Sequence, residues 1–155
     1  MRIMGLDYGS LTVGVALSDE LLITAQPLKI IRREKESHLR RTLAELEDIA
    51  RGKDVRLIVL GLPLNMDGTA GERALLTNAF REKLERRLEI PVVFSDERLT
   101  SVESEEMMRQ MGIPASKYKD YVDMLAANLI LREYMENHRD VLEELKKEQT
   151  GTEHG

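Results

Sequence analysis

The sequence of 155 residues contains no cysteine and no tryptophan. Without thiols there are no disulfides, thiolate zinc sites or cysteine nucleophiles, which fits a reducing compartment. Any metal must take oxygen or imidazole ligands. Aromatic residues are scarce, four Tyr and two Phe, so little surface is available for stacking unpaired bases. A nucleic-acid partner would be read through its backbone or shape. No run of about 18 apolar residues spans a bilayer, and the opening lacks the basic-then-apolar pattern of a secretory signal. We therefore expect a soluble, cytoplasmic protein with no membrane contact. The three histidines, His38, His138 and His154, show neither two-histidine metal spacing nor a partner set for a Ser/His/Asp triad.

What is present suits one domain with one well-packed core. The net charge of −5 argues against a protein that coats nucleic acid generally, but not against a local basic path. Arg32, Arg33, Lys35, Arg40 and Arg41 form one basic cluster, and Arg81, Lys83, Arg86 and Arg87 another. Both are interleaved with Glu and read as solvated helix faces. Lys117 and Lys119 form a third.

The first nine residues read as an apolar strand ending in Asp7 between Gly5 and Gly9. A carboxylate on a core strand needs a cation, a donor or solvent to offset its desolvation. The two glycines leave room for something large to approach the backbone. Residues 13–18 return as a second strand and 26–31 as a third, edge-like because Pro27 lacks a ladder donor. Helical spacing follows over 34–50, with Ser37 as a local cap and Gly52 as a stop. Residues 55–60 suit a buried parallel strand, ending in a turn-rich loop over 61–69. A second helix over 72–88, a strand over 92–95, a capping box at Thr100 and Glu103 opening a helix to about 111, and a largely apolar helix over 118–137 complete the order. The charged residues after 137 are expected to be frayed or disordered. Strands separated by helices imply right-handed parallel crossovers. The expected fold class is α/β: a five-stranded mixed sheet, three antiparallel strands then two parallel, flanked by helices.

Three acids sit where solvation does not explain them: Asp7 on a core strand, Glu97 just beyond a buried strand, and Asp123 inside an apolar helix. Strand ends and a packed helix can converge in an α/β sheet. Like charges that close bind a cation or keep one group protonated, and oxygen-only ligands suit Mg²⁺ or Mn²⁺. Taken one at a time, each acid has a structural alternative: Asp7 as a turn stabiliser, Glu97 paired with Arg98, Asp123 paired with Lys117 or Lys119. Asp67 reads as a turn former and Glu103 as half of its capping box.

Four stretches taken together, Gly5-Leu6-Asp7-Tyr8-Gly9 with Gly14-Val15-Ala16 and Ser18-Asp19, 61–69, Asp96-Glu97-Arg98-Leu99-Thr100, and Val122-Asp123-Met124-Leu125-Ala126-Ala127, resemble the YqgF family in the family's own order. The resemblance covers about residues 1–137. It implies an RNase H-like nuclease domain related to the RuvC resolvases, a divalent-metal site at Asp7, Glu97 and Asp123, and maturation of the 5′ end of pre-16S ribosomal RNA. The family also carries the label of Holliday junction resolvase, which would act on branched DNA as a homodimer. On this reading Asn65, Thr69 and Arg98 orient phosphate or the acids, while Lys117 and Lys119 contact the nucleic-acid backbone. The chain departs from the family pattern at Leu11 and Thr12, where a basic residue is usual, so that turn brings no positive charge beside Asp7. A second class of function, an rRNA-binding or ribosome-assembly module without catalysis, agrees with that loss. A kinase-like ATPase fits least, since a chain this short lacks a second lobe.

Overall fold

Alternation of apolar residues in the first 32 positions builds half of the sheet. In the computed structural model, which describes residues 1–63, 67, 71–97, 106 and 108–154 and the side chains of these except at 97, 119, 120, 123, 124 and 149–154, strands β1 (Arg2–Tyr8), β2 (Thr12–Ser18) and β3 (Ala25–Arg32) form an antiparallel meander. The β1–β2 turn closes through Gly9 N–H donating to Thr12 O at 2.8 Å. Asp19 closes the next turn, its Oδ1 accepting from the amides of Ile23 at 2.7 Å and Thr24 at 2.9 Å. As Pro27 foretold, β3 is an edge strand, and its ladder with β2 slips in register between Val15 and Ala16, opposite that proline.

Helix α1 (Arg40–Gly52) leads to β4 (Val55–Pro63), and α2 (Glu72–Leu88) leads to β5 (Val92–Glu97). Both strands are parallel to β1, and the sheet order is β3-β2-β1-β4-β5. The expected mixed sheet of three antiparallel and two parallel strands is therefore the one formed. A 3-10 turn (Ala115–Lys117) precedes helix α3 (Tyr118–Asn137), and α4 (Arg139–His154) follows. The helix foreseen from Thr100 lies largely outside the described residues; 106 and 108–110 are helical. No helix among the described residues is long and apolar enough to cross a membrane.

The strand period of two divides the core. Met4, Leu6 and Tyr8 of β1 face Leu43 and Leu46 of α1 and Phe80 and Leu84 of α2. Ile3 of β1, with Leu57 and Val59 of β4, faces Ala127, Ile130 and Leu131 of α3.

Four elements differ from the sequence reading. Helix α1 begins at Arg40 rather than near residue 34, because the preceding segment is tied down elsewhere: Arg33 donates Nη2–H to Gly9 O at 2.7 Å and Nε–H to Glu36 O at 3.2 Å. Strands β4 and β5 run on through Pro63 and Glu97, since their parallel ladder continues as Leu62 opposite Asp96 and Pro63 opposite Glu97. Residues 139–154, expected to fray, are helical, and Leu142 is buried against the α3 side of the core with Leu145 packed on it. Apolar residues at helical spacing outweigh the charged composition there.

Candidate functional site

Strands β1, β4 and β5 are parallel, so their carboxyl ends share one edge of the sheet. Leu6, Leu60 and Phe94 stand in one row. Asp7 lies one residue beyond that row, half-buried, and Glu97 closes β5 opposite Pro63. Alternation puts Ile3, Gly5 and Asp7 of β1 on one face, with Leu57, Val59 and Gly61 of β4 and positions 93, 95 and 97 of β5. That is the face covered by α3.

The path of α3 follows from its two ends. Beyond its carboxyl end Arg139 donates Nη1–H to Leu22 O at 2.9 Å, next to the finish of β2. That finish stands at the amino end of β1, since Ser18 Oγ accepts from the Ile3 amide at 2.8 Å. The helix therefore runs antiparallel to β1. At Gly5 the two backbones nearly touch: a Cβ there would lie 2.7 Å from Leu131 Cβ and 2.9 Å from the Ala127 carbonyl oxygen. The large group for which Gly5 leaves room is this helix. Going from Gly5 to Asp7 advances about 6.6 Å along the strand. Going back from 127 to 123 advances about 6 Å along the helix, on the same stripe as 127 and 131. The backbone thus carries position 123 over the carboxyl end of β1 by the same amount that the strand carries Asp7. The side chains of Glu97 and Asp123 lie outside the described residues, and among the described residues no three His, Asp or Glu side chains form a metal-holding group.

The remaining sequence candidates divide in the same way. Lys117 ends the 3-10 turn and is exposed, beside the start of α3; position 119 lies in the first turn of that helix. Asn65, Thr69, Arg98 and Glu103 lie outside the described residues, and Asp67 sits exposed in a turn.

Two arginines that the sequence reading gave no part in the site grip the strand end carrying Asp7. Arg33 Nη2–H donates to Gly9 O, and Arg73 Nη2–H to Tyr8 O at 3.3 Å. Their guanidinium carbons stand 4.9 and 5.3 Å from the centre of the Tyr8 ring, which stacks on Phe80 at 4.3 Å. Arg73 also pairs with Glu36. Positive charge missing from Leu11 and Thr12 thus reaches the same strand end from β3's exit and from α2, on the face opposite α3. No short motif could reveal this, because the partners are 24 and 65 residues apart.

Comparison with known proteins agrees with this architecture. The fold is that of RuvC from Thermus thermophilus bound to a Holliday junction substrate, with a TM-score of 0.55 at 13% identity over 89% of this chain and 96% of that one. The fowlpox virus Holliday junction resolvase superposes with a TM-score of 0.53 at 18% identity, over 88% and 99%. These similarities make the fold RNase H-like. Much nearer in sequence are proteins named “Putative pre-16S rRNA nuclease”: one from Lachnospira eligens is 52% identical over 88% of this chain and 98% of its own length, and one from Agathobacter rectalis is 50% identical over 88% and 95%. The RuvX family, described as Holliday junction resolvase, matches residues 1–137, and the chain belongs to that family of nucleases.

Proposed function

We propose that the chain is a divalent-metal-dependent endonuclease that hydrolyses phosphodiester bonds in the 5′ extension of pre-16S ribosomal RNA. What supports this reading is that Asp7 and Glu97 stand at the same carboxyl-end edge of the sheet and on the face that α3 covers, and that the direction of α3 carries position 123 towards that edge. RNA as substrate is supported by the names of relatives at 52% and 50% identity.

The donor set fits the metal: three carboxylates with no thiol in the chain are hard oxygen ligands of the kind Mg²⁺ and Mn²⁺ take. Asp7, Glu97 and Asp123 would hold it, and such an ion, when bound, lowers the pKa of water and offsets charge on the phosphate oxygens. The protein's own part is placement. The Gly5–Leu131 contact fixes the height of α3 above β1, and Arg33 and Arg73 hold the carbonyls of Tyr8 and Gly9, so the backbone on either side of Asp7 is pinned. Lys117, at the start of α3, and Lys119 supply positive charge for the nucleic-acid backbone, while Asn65, Thr69 and Arg98 orient phosphate.

The test uses wild-type and Asp7→Asn proteins with Mg²⁺, Mn²⁺ or EDTA, on a 5′-extended 16S precursor and on a four-way DNA junction. Metal-dependent RNA cleavage, reduced to background in Asp7→Asn with the melting temperature kept, is the expected result. Unchanged cleavage by the purified variant refutes the site. The family description favours a second reading, a resolvase acting on branched DNA as a homodimer. Paired symmetric junction cuts by a species that sediments as a dimer would establish it, whereas an active monomer would exclude it. Binding of RNA without turnover under any metal would point instead to an assembly module.

A further inference from the structure

A wide concavity lies between the exit of β3 and the first turns of α1. It is a groove of about 870 Å³ whose wall carries Arg32, Arg33, Arg40 and Arg41 against Glu34 and Glu45. Glu45 is engaged by Lys29 on β3, and the four arginines of the wall outnumber its two acids. Arg32, Arg40 and Arg41 are exposed, and among the described residues Arg40 and Arg41 make no ion pair. The Nη1 of Arg33 is buried without a hydrogen-bond partner there.

Helix stability does not account for this arrangement. Helix α1 opens at Leu39 with no side-chain cap and no acid in its first turn, and Arg40 and Arg41 occupy that turn. Cations at a helix amino terminus oppose the macrodipole, whereas a bound anion complements both the dipole and the arginines. The apolar face of α1 uses Leu39, Leu43 and Leu46, so packing does not call for arginine at 40 and 41 either.

The groove is also joined to the candidate site. Strands β1 and β3 both run antiparallel to β2, so their carboxyl ends share an edge, with Tyr8 opposite Val13 and Val13 opposite Ile31. Two strand spacings, about 10 Å, separate them. Arg33 lines the groove and holds Gly9 O two residues beyond Asp7, so the groove reaches the sheet edge at which Asp7 stands. We infer that this arginine groove binds the sugar-phosphate backbone of the nucleic-acid strand whose scissile bond lies at Asp7. The inference rests on the nuclease reading above and adds a docking track to it. Recognition there is by charge, because no Phe, Tyr or Trp lines the groove.

The experiment measures binding by fluorescence anisotropy in EDTA, so that affinity is read apart from cleavage. The labelled probes are a single-stranded 5′-extended 16S precursor fragment and a four-way DNA junction, titrated from 50 to 500 mM KCl. Each lost single-strand phosphate contact lowers the salt slope by about 0.7, so R40Q/R41Q loses about 1.4 and binds roughly 25-fold more weakly at 0.1 M salt. With metal present, the same variant raises KM for the long RNA more than it lowers kcat. Loss on RNA alone assigns the groove to the single strand, and loss on the junction alone assigns it to branched DNA. R32Q, changed on the edge strand rather than the helix, reports independently should the double variant melt early; the double variant is expected to melt at or above wild type, as it removes cations from a helix amino terminus. Wild-type affinity and slope in both folded variants overturn the groove while leaving the nuclease reading intact. If R40Q/R41Q loses binding but Asp7→Asn still cleaves, the groove stands and the catalytic assignment falls. If the wild-type protein binds neither probe, both fall.

Discussion

Replacing Gly5 with alanine tests the close approach of α3 to β1 on which the proposed site rests. The added Cβ would stand 2.7 Å from Leu131 Cβ and 2.9 Å from Ala127 O. Carbon atoms rest at about 3.5–4.0 Å, so α3 must retreat from the sheet by about 1 Å. Overpacking of this kind costs about 1–3 kcal/mol. The lower entropy of the unfolded alanine chain returns about 0.4–1 kcal/mol. The net loss is about 1–2 kcal/mol, which for a chain of this size lowers Tm by about 2–8 °C. Urea titration followed by circular dichroism should give a lower midpoint with an unchanged m-value. Leu131→Ala should not rescue it, because the atoms in conflict are a Cβ and a backbone oxygen, and alanine keeps both. The same retreat moves position 123 away from Asp7, and a misplacement of about 1 Å costs on the order of 100-fold in rate. Cleavage at a temperature where both proteins are folded should therefore fall far more than stability does. A Gly5→Ala protein within about 0.5 kcal/mol of wild type, or full rescue by Leu131→Ala, would refute the close approach of α3 to β1.

Two further outcomes concern the frame around the site. Ser18 is buried, accepts from the Ile3 amide at 2.8 Å and donates to Asp19 O at 3.0 Å, so Ser18→Ala should cost about 1–3 kcal/mol in urea titration and speed hydrogen exchange at the Ile3 amide; unaltered exchange would contradict it. Burial alone would raise the pKa of Asp19, but backbone amides, chiefly those of Thr24 and Ile23, outweigh it and hold the carboxyl below its ordinary 3.8. With the folded value below the unfolded one, this stabilisation is complete above the unfolded pKa and is lost as pH falls through the folded value. Asp19→Asn should lower the urea midpoint at pH 7, with the loss shrinking as pH is taken below the unfolded value of 3.8, and a loss that does not change with acidification would contradict the assignment.

Much of the fold was legible because strand and helix periods are distinct in this chain. Pro27 marks the edge strand, and the apolar stripes of α2 and α3 set both helices. What the sequence conceals is long-range. The start of α1 is set by Arg33 reaching back to Gly9, a constraint that no local window contains. The turn-forming composition of Gly61-Leu62-Pro63 and Asp96-Glu97 conceals two strands that lengthen each other by pairing. Asp7 is recognisable as a misplaced carboxylate, but its relation to positions 97 and 123 depends on parallel register and on the direction of α3. The basic groove was hardest to see, because arginines interleaved with glutamates look like a solvated helix face until residues 33–39 prove to be a loop that turns them to one side.

The strand order carries a consequence for how the chain assembles as it leaves the ribosome. Strand β1 is synthesised first yet lies at the centre of the sheet. The β1–β2–β3 meander can close early through local pairing, but the other side of β1 stays open until β4, some fifty residues later, has emerged. During that interval an apolar strand, Ile3-Met4-Gly5-Leu6, offers an unpaired edge to any neighbouring nascent chain. The aggregation hazard of this protein is therefore greatest before β4 emerges, and a synthesis pause that holds β4 back would prolong it, while a pause once β4 has emerged would not.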